Sequence, residues 1–600
     1  MFAETPITTK KGKAMKLKRI VAAATATAVV ALSLTSCSLF GGTQSNSTAE
    51  SGPFPEKWDT EITIDVFDGL ANQMGVQPGW FAKIVKDKFN MKLNVIAPNV
   101  AGGGDTLYNT RVAAGNLGDL IITDQGKQFD ELVKGGLIVD MANYYEQMKN
   151  AAVFDAAVEK VNDGKDGVYG LPTQVSTIKP TEPSEGLSST FGPMIRWDLY
   201  KQLGYPEIDS LEDLLPVLKQ MQDLQPTAAN GGKTYGLSLF KDWDGNMMNN
   251  AKQPTTFYGY DEMGFVLAKA DGSDYQSIVD SDSEYVRALH FFYEANQMGL
   301  LDPDSTTQNY DTLFSKFQNG QVLFSPWPWQ AQPAFNTEEN LAAGQGFMIA
   351  PMKDQTIFSY GASVYGGKQI FAIGSKAKDP QRIAAFIDWL YSAEGTYSNN
   401  SQTQGAAGPQ GLTWDLNSAG EPELSDFGTS ALLGDGSAQV PEDWGGGTYK
   451  DGASWLNVTT VLPIQVDEAT GQPFSYQFWP TYQAATANAV STDWSAHMKD
   501  ATSTMDYLQQ ADQILVAPGS GYVAPADSSE IQTLRNQIKA SIVEFSWKMS
   551  FASNQSEFDS LLTQMQDTVN GLGYDKVLQV DMDNAKAQND ARIEVAKEFG

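Results

Sequence analysis

The chain has 600 residues, of which 42% are hydrophobic and 11% aromatic, a composition that excludes a disordered or fibrous protein. It carries 41 basic and 72 acidic residues, giving a formal charge of -31, and an acidic surface of this kind disfavours binding to nucleic acid or anionic lipid headgroups. With two histidines and one cysteine, the chain lacks the residues for an internal disulfide or a Cys/His metal site.

The N-terminal region has the pattern of a lipoprotein signal. Six basic residues between Lys10 and Arg19 precede an uncharged run from Ile20 to Leu34. This run is shorter than the roughly 18 to 20 residues of a permanent transmembrane helix. The sequence that ends the run, Leu34-Thr35-Ser36-Cys37, resembles a bacterial lipobox, whose cysteine is acylated and becomes the new N-terminus.

We therefore predict a signal peptide at 1–36, with Met1 or Met15 as the start, and lipidation by palmitate-type chains at Cys37. Residues 37–57 are predicted to form a flexible tether, since they are rich in Gly, Ser, Thr and Asn. The predicted location is the extracellular face of the cell membrane.

Strands and helices alternate in the part of the chain that follows. Apolar alternation at Ile62, Ile64 and Val66 predicts a strand, helical spacing predicts a helix over 81–89, and further strands are predicted at 93–97 and 120–122. This order favours an α/β fold with parallel-rich sheets flanked by helices.

Helices are predicted at 210–224, 283–298, 380–392, 529–551 and 556–570. The helix at 380–392 has the clearest start, because Asp379 can cap it and Pro380 suits its first turn.

Five stretches, in this order, resemble the bacterial extracellular solute-binding proteins of carbohydrate uptake: RVAAGNLGDLIITDQGKQFDELVKGGLIVDM (111–141), DGVYGLP (166–172), MIRWDLYKQLGYPE (194–207), NGQVLFSPWPW (319–329) and QIFAIGSKAKDPQRIAAFIDWLYSAEG (369–395). The resemblance implies a two-lobe periplasmic-binding-protein-like fold of type II, an oligosaccharide ligand, ABC permease subunits as partners, no enzymatic activity and a monomer. Lobe 1 is predicted to comprise 58–178 and 366–415, and lobe 2 to comprise 179–365 and 416–600 with a helical C-terminal extension.

Three further segments, at 408–415, 445–455 and 546–552, resemble the longer lipoprotein members of the family from Gram-positive bacteria. Some of these members carry a calcium loop in the second lobe. The corresponding stretch here, 223–231, lacks the alternating oxygen ligands that calcium requires, so we predict neither a metal nor a cofactor.

The resemblance places Trp327 and Trp329 in the wall of a sugar site, where indole rings can cover the C–H face of a pyranose. If 322–329 is a strand, both rings lie on one face, and Pro326 and Pro328 make that strand an edge. Trp243, between two aspartates in a polar loop, is a third candidate. Ordinary core packing remains the alternative for each tryptophan, and it is our prediction for Trp389 and Trp547.

Other candidate ligand contacts come from both lobes. Asp68, Asp124 and Gln125 follow strands, and the carboxyl ends of strands are where open α/β sheets bind ligands, with surface or capping roles as the alternative. Arg196 either contacts hydroxyl groups or forms a structural ion pair. Tyr449, Trp455 and Trp479, in a glycine-rich stretch, are candidates for the rim.

Two alternatives to an oligosaccharide-binding protein stay open at this stage. A cell-surface glycoside hydrolase also combines tryptophans with carboxylates, although it needs a catalytic pair at roughly 5 to 9.5 Å. A binding protein of the same fold could take a non-sugar ligand such as a peptide, because a fold does not dictate its ligand. The two histidines do not suggest catalysis: His290 is predicted to be partly buried in a helix, and no Ser/Asp pattern accompanies His497.

Overall fold

The computed structural model describes residues 53–98, 100–101, 104–399, 405–434 and 436–600. The predicted signal peptide, Cys37 and most of the predicted tether lie outside these residues. The strands are β1 (Ile62–Asp68), β2 (Gly75–Val76), β3 (Met91–Ile96), β4 (Leu120–Asp124), β5 (Leu171–Pro172), β6 (Met194–Arg196), β7 (Tyr260–Met263), β8 (Val266–Lys269), β9 (Tyr275–Ser277), β10 (Phe324–Ser325), β11 (Phe347–Ile349), β12 (Ile357–Tyr360), β13 (Gln369–Ile373), β14 (Trp414–Leu416), β15 (Pro422–Leu424), β16 (Val466–Asp467), β17 (Gln472–Pro473) and β18 (Ile514–Ala517).

The α-helices are α1 (Gly79–Phe89), α2 (Gly104–Ala113), α3 (Lys127–Lys134), α4 (Ala142–Tyr145), α5 (Asp155–Val161), α6 (Trp197–Gln202), α7 (Leu214–Leu224), α8 (Asn249–Thr255), α9 (Glu284–Gln297), α10 (Tyr310–Gln318), α11 (Pro328–Phe335), α12 (Glu338–Ala342), α13 (Pro380–Tyr391), α14 (Ala393–Asn399), α15 (Asp426–Leu433), α16 (Tyr449–Gly452), α17 (Pro480–Thr486), α18 (Ala489–His497), α19 (Thr504–Gln510), α20 (Ser529–Ser550), α21 (Gln555–Gly571) and α22 (Tyr574–Phe599). The helix predicted over 81–89 corresponds to α1, and the other five predicted helices correspond to α7, α9, α13, α20 and α21. At α13 the Asp379 side chain accepts a hydrogen bond from the Arg382 amide at 3.1 Å, as the sequence predicts for a capping residue.

The first sheet has six strands in the order β2-β3-β1-β4-β13-β5. Its centre is parallel, since β1 pairs with β3 from Ile62 opposite Met91 and with β4 from Val66 opposite Leu120. The outer pairs are antiparallel. The first four residues of β4 are all buried, as expected for a strand covered on both faces.

The second large group of elements is built around β6, which lies between β10 and β11 in an antiparallel sheet. Strands β7, β8 and β9 form a separate antiparallel meander, and β12 pairs in parallel with β18. Helices α20, α21 and α22 pack against one another, and α20 also packs on α9. The last turn of α22 places the Phe599 ring 5.9 Å from that of Tyr365.

Two large hydrophobic clusters define the lobes. The cluster of lobe 1 contains the centre of the first sheet, α1 and α13, together with Trp414, Tyr449 and Trp479. The cluster of lobe 2 draws its residues from 191–358 and 490–577. The predicted boundary at residue 415 disagrees with this packing, because the aromatic residues between 414 and 479 are buried in lobe 1. We propose that this boundary lies between 479 and 490 instead.

We propose that three segments of the described chain connect the lobes, at 175–191, 358–371 and 479–490, because the residues on either side of each segment belong to different clusters. We call them the first, second and third crossings. The first two run side by side: the Ser184 amide donates to the Tyr360 carbonyl at 2.8 Å and the Ala362 amide to the Glu182 carbonyl at 3.0 Å. Gly361 permits this approach, because a Cβ there would lie 2.1 Å from the Pro180 oxygen.

Candidate functional site

An aromatic cluster in lobe 2 brings together the three tryptophans singled out from the sequence. The ring of Trp243 lies 6.0 Å from those of both Trp327 and Trp329, and these two are 5.3 Å apart. Phe240 and Tyr310 complete the cluster, with Tyr310 stacked on Trp243 at 4.6 Å. Trp243 and Trp329 remain 44% and 43% exposed, so this surface offers two indole rings to a ligand.

The backbone around Trp327 differs from the predicted strand. Strand β10 ends at Ser325, and Trp327 is the N-cap of α11, whose first residue is Pro328. Proline suits the first position of a helix because its fixed φ fits and its missing amide is not needed there. The two rings still lie close together, but Trp327 is buried and its Nε1 donates to Gln253 Oε1 at 3.1 Å. Only Trp329 of this pair has an open face.

Two aspartates hold the Trp243 loop in place. The Asp242 carboxylate accepts a hydrogen bond from the Tyr310 amide at 2.9 Å. On the other side of Trp243, Asp244 accepts from Trp547 Nε1 at 2.7 Å and from the Asn249 amide at 2.9 Å. The loop is thus tied to α10 and α20, and Trp243 is held with its side chain partly in solvent.

In lobe 1 a cavity of about 160 Å³ lies at the carboxyl ends of β1 and β4. Asp124 lines it, is exposed, and accepts a hydrogen bond from Gln369 Nε2 at 3.1 Å. Gln128 and Gln369 supply the amide groups of the cavity, whereas Gln125 is half-buried outside its lining and donates to the Gly367 carbonyl at 2.6 Å. The cavity therefore presents carboxylate and amide groups that can bond to hydroxyl groups, with Asp124 as the charged one.

Asp68 is fully buried and does not line this cavity, although Phe67 and Gly69 do. Its Oδ1 accepts from the amides of Leu70 and Ala71 at 2.8 and 3.2 Å, which orders the turn after β1. Burial raises the pKa of Asp68 to about 6, and the amides of Leu70, Ala71 and Asn457 oppose that rise. The direct ligand contact expected from the sequence is therefore not seen at this residue.

Arg196 forms an internal ion pair. Its Nε and Nη2 bond the two oxygens of Asp198 at 2.8 and 2.7 Å, and its guanidinium lies 4.2 Å from the Phe335 ring centre. With 1% of its surface exposed, it cannot contact a ligand in this structure, and the structural alternative considered from the sequence is the one observed.

The three candidates from the glycine-rich stretch have different positions. Tyr449 and Trp479 are fully buried in lobe 1, where Tyr449 stacks on Trp80 at 5.2 Å and Trp479 contacts Trp414 at 5.3 Å. These two are core residues rather than rim residues. Trp455 is half-buried and packs on the small cluster that contains Ala71, so it lies close to the turn after β1.

Tyr310 is a member of the cluster that the sequence patterns did not indicate, although it stacks on Trp243. Tyr310 is the first residue of α10, and Asn309 before it is the helix cap. The cap indicates where the helix starts, but nothing near Tyr310 in the sequence indicates its contact with Trp243. The residues predicted to be core behave as expected, since Trp389 and Trp547 are buried. His290 is half-buried, with its ring 5.3 Å from that of Phe558.

Within the described ranges, no group of three or more His, Cys, Asp or Glu side chains could hold a metal ion. In the stretch corresponding to the calcium loop, Asp223 pairs with Lys219 at 2.7 Å and Asn230 accepts from the Gly232 amide at 2.9 Å. These side chains serve local structure.

Two α/β lobes joined by three crossings, with polar groups at strand ends of one and exposed indoles on the other, define a two-lobed ligand-binding protein. The model for the bacterial extracellular solute-binding protein family matches residues 75–397, and the chain belongs to this family.

Solved structures with the same fold include an HMO-binding, ABC-transporter-associated solute-binding protein from Bifidobacterium longum infantis. It is 13% identical, with coverage of 88% of this chain and 99% of that chain and a TM-score of 0.52. An extracellular solute-binding protein from Bifidobacterium longum subsp. infantis is 14% identical, with coverage of 89% and 100% and a TM-score of 0.52.

Among curated proteins, lipoprotein LipO of Bacillus subtilis is 24% identical over 200 residues, which are 33% of this chain and 36% of LipO. The match thus spans about a third of the length of that relative. Within the described ranges we find no helix whose length and apolar content would let it cross a bilayer.

Proposed function

We propose that this protein is the substrate-binding lipoprotein of an ABC importer, captures an oligosaccharide between its lobes and delivers it to the permease. The observation that carries the proposal is the pair of exposed indoles, Trp243 and Trp329, in a cluster that fixes both rings. Rigid exposed indoles are costly to leave in water and match the apolar face of a pyranose. The hydroxyl rim of the sugar would then bond to polar groups such as Asp124.

Closure follows from contact with both lobes. A ligand stacked on Trp329 and bonded to Asp124 is held best when the crossings bend and the lobes approach. A ligand held by one lobe would not shift this equilibrium, because it would bind the open and closed states equally. The similarity to the solved HMO-binding protein of Bifidobacterium longum infantis supports an oligosaccharide as the ligand class.

The proposal is tested first by a thermal-shift screen against oligosaccharides, since a ligand that binds only the folded state raises the melting temperature. The best ligand is then measured by calorimetry with Trp329→Ala, Trp243→Ala and Asp124→Ala. Each lost indole should cost on the order of 1 to 3 kcal/mol, by analogy with stacking of bases on aromatic residues, or roughly 5- to 150-fold in affinity.

Trp389→Ala is the control for a lost tryptophan outside the site, because Trp389 is buried among Phe81, Phe89 and Phe386. It should lower the melting temperature while the folded protein keeps its affinity. Wild-type affinity in both the Trp329 and Trp243 variants would place the sugar elsewhere.

We further propose that the protein binds its sugar without chemical change. Purified protein incubated with the same oligosaccharides should leave them intact on chromatography. Shortened products that persist after a second purification step would favour the glycoside hydrolase instead.

A further inference from the structure

A groove of about 620 Å³ lies where the third crossing meets lobe 2. The third crossing contributes Tyr482, Gln483 and Asn488, and lobe 2 contributes Gln332 of α11 and Ser491 of α18. The volume falls within the roughly 300 to 1,000 Å³ of sites that hold small organic ligands.

The groove is lined mainly by uncharged polar residues, although carbon atoms make up most of its exposed surface. Most of its residues are Ser, Thr, Asn or Gln, and among the lining residues the charged one is Asp500, with neither Lys nor Arg present. Hydroxyl and amide side chains both donate and accept hydrogen bonds, which suits a chain of sugar hydroxyls. An anionic sugar would find no cation here, so this chemistry favours an uncharged ligand.

The groove adjoins the aromatic cluster along one helix. Trp329 and Gln332 are three residues apart in α11, and residues at this spacing lie on the same helix face. Trp329 presents its open ring in the aromatic cluster, whereas Gln332 lines the groove. A chain of sugars that begins on the indole can therefore continue along α11 into the groove.

The groove also joins the two lobes. Tyr482 packs against the core of lobe 1, whereas Trp494 belongs to the core of lobe 2. Both residues line the groove, so an occupant would touch elements that move with different lobes. Such an occupant stabilises one relative position of the lobes.

We propose that this groove is a second subsite, which takes the continuation of a neutral oligosaccharide longer than a disaccharide and couples its length to lobe closure. The proposal rests on the proposed function, because it assumes that the first sugar stacks on Trp329.

The test measures how affinity depends on oligosaccharide length in the wild type and in variants whose groove is blocked. Ala487→Trp and Thr492→Trp place an indole in the groove from the third crossing and from lobe 2, respectively, at exposed lining positions. Ala485→Trp is the matched control, since Ala485 is exposed on α17 but does not line the groove. Calorimetry uses malto-, fructo- and xylo-oligosaccharides from disaccharide to heptasaccharide, and oligogalacturonides as the charged series.

For the neutral series that binds, wild-type affinity should rise with length. Each blocking variant should lose about tenfold or more for the longest members, which is about 1.4 kcal/mol, and keep wild-type affinity for the disaccharide. Ala485→Trp should behave as wild type at every length, and Trp329→Ala should weaken all lengths alike.

Three results would overturn the proposal. Binding of neutral sugars that is independent of length, or unchanged in both blocking variants, removes the subsite while the proposed function stands. Tighter, groove-dependent binding of oligogalacturonides contradicts the neutral class. A wild-type protein that binds no sugar of any length rejects the proposed function, and the subsite with it.

Discussion

Asp68 is a buried acid whose Oδ2 has no hydrogen-bond partner among the described residues. Burial disfavours the charged form, whereas the amides that contact Oδ1 favour it, and burial is the larger effect. The pKa of about 6 in the folded protein lies above the value near 3.9 of an unfolded chain. The folded protein therefore binds this proton more tightly than the unfolded chain does.

This difference predicts how stability depends on pH. Between about pH 4 and 6 the folded state holds more protons at Asp68, so its contribution to the free energy of unfolding falls as pH rises. The total change is on the order of 3 kcal/mol for a shift of about two pKa units. Urea denaturation of wild type and Asp68→Asn across this range should give a stability difference that declines with pH. A constant difference would contradict the prediction.

Residue type alone could not separate ligand contacts from core in this chain. Trp329 and Trp479 are both tryptophans near prolines, yet one is exposed in the aromatic cluster and the other is fully buried. From the sequence, Arg196 could contact hydroxyl groups of a ligand. In the structure its guanidinium forms an ion pair with Asp198 instead. Whether each side chain is exposed or buried depends on which distant segments pack together. Local sequence patterns do not predict that packing.

At the scale of elements, the periodicity of apolar residues predicted the strands and helices that have one apolar face. Strands β1, β3 and β4 and the amphipathic helices α7, α9 and α13 were predicted from it. Helix α22 was not predicted although it has 26 residues, because charged and small residues, Asp581, Ala585 and Arg592, interrupt the apolar pattern of its buried face. A helix attached through charges and small residues gives a weak hydrophobic pattern.

Asp581 is the main polar attachment of α22. Its carboxylate accepts two hydrogen bonds from Arg535 of α20, both at 2.7 Å, and one from the Phe265 amide after β7 at 2.7 Å. A buried carboxylate that bonds three groups on two other elements fixes the position of the helix. Without Asp581, Arg535 keeps its ion pair with Asp527 at 2.7 Å, but the buried Phe265 amide loses its acceptor.

We therefore expect Asp581→Ala to lower the free energy of unfolding by about 1 to 3 kcal/mol, the cost of leaving a buried donor without its acceptor. Asp583→Ala is the control, since Asp583 is exposed on the same helix, and it should change stability by about 0.5 kcal/mol or less. Chemical denaturation of both variants measures the difference. Equal midpoints would show that Asp581 does not anchor the helix.

At the scale of the whole molecule, we predict how the protein is attached to the membrane. The proposed lipoprotein is held by acyl chains on Cys37, so Cys37→Ser should abolish incorporation of labelled palmitate and release the protein into the medium. The variant should keep wild-type sugar affinity, because the predicted tether lies before β1 in the sequence. Continued palmitate incorporation together with membrane retention would reject the lipobox.

The three crossings have a consequence for observing this protein at work. The first crossing bonds to the second along its length, and a Cβ at Gly186 would lie 2.4 Å from the Phe478 ring beside the start of the third. Because segments that run side by side bend together, we expect the lobe motion to be close to one hinge rotation. Cys37 is the single cysteine of the chain, and its replacement leaves a background free of thiols. A dye pair on one introduced cysteine per lobe would then report capture and release of ligand as a single fluctuating distance, one molecule at a time.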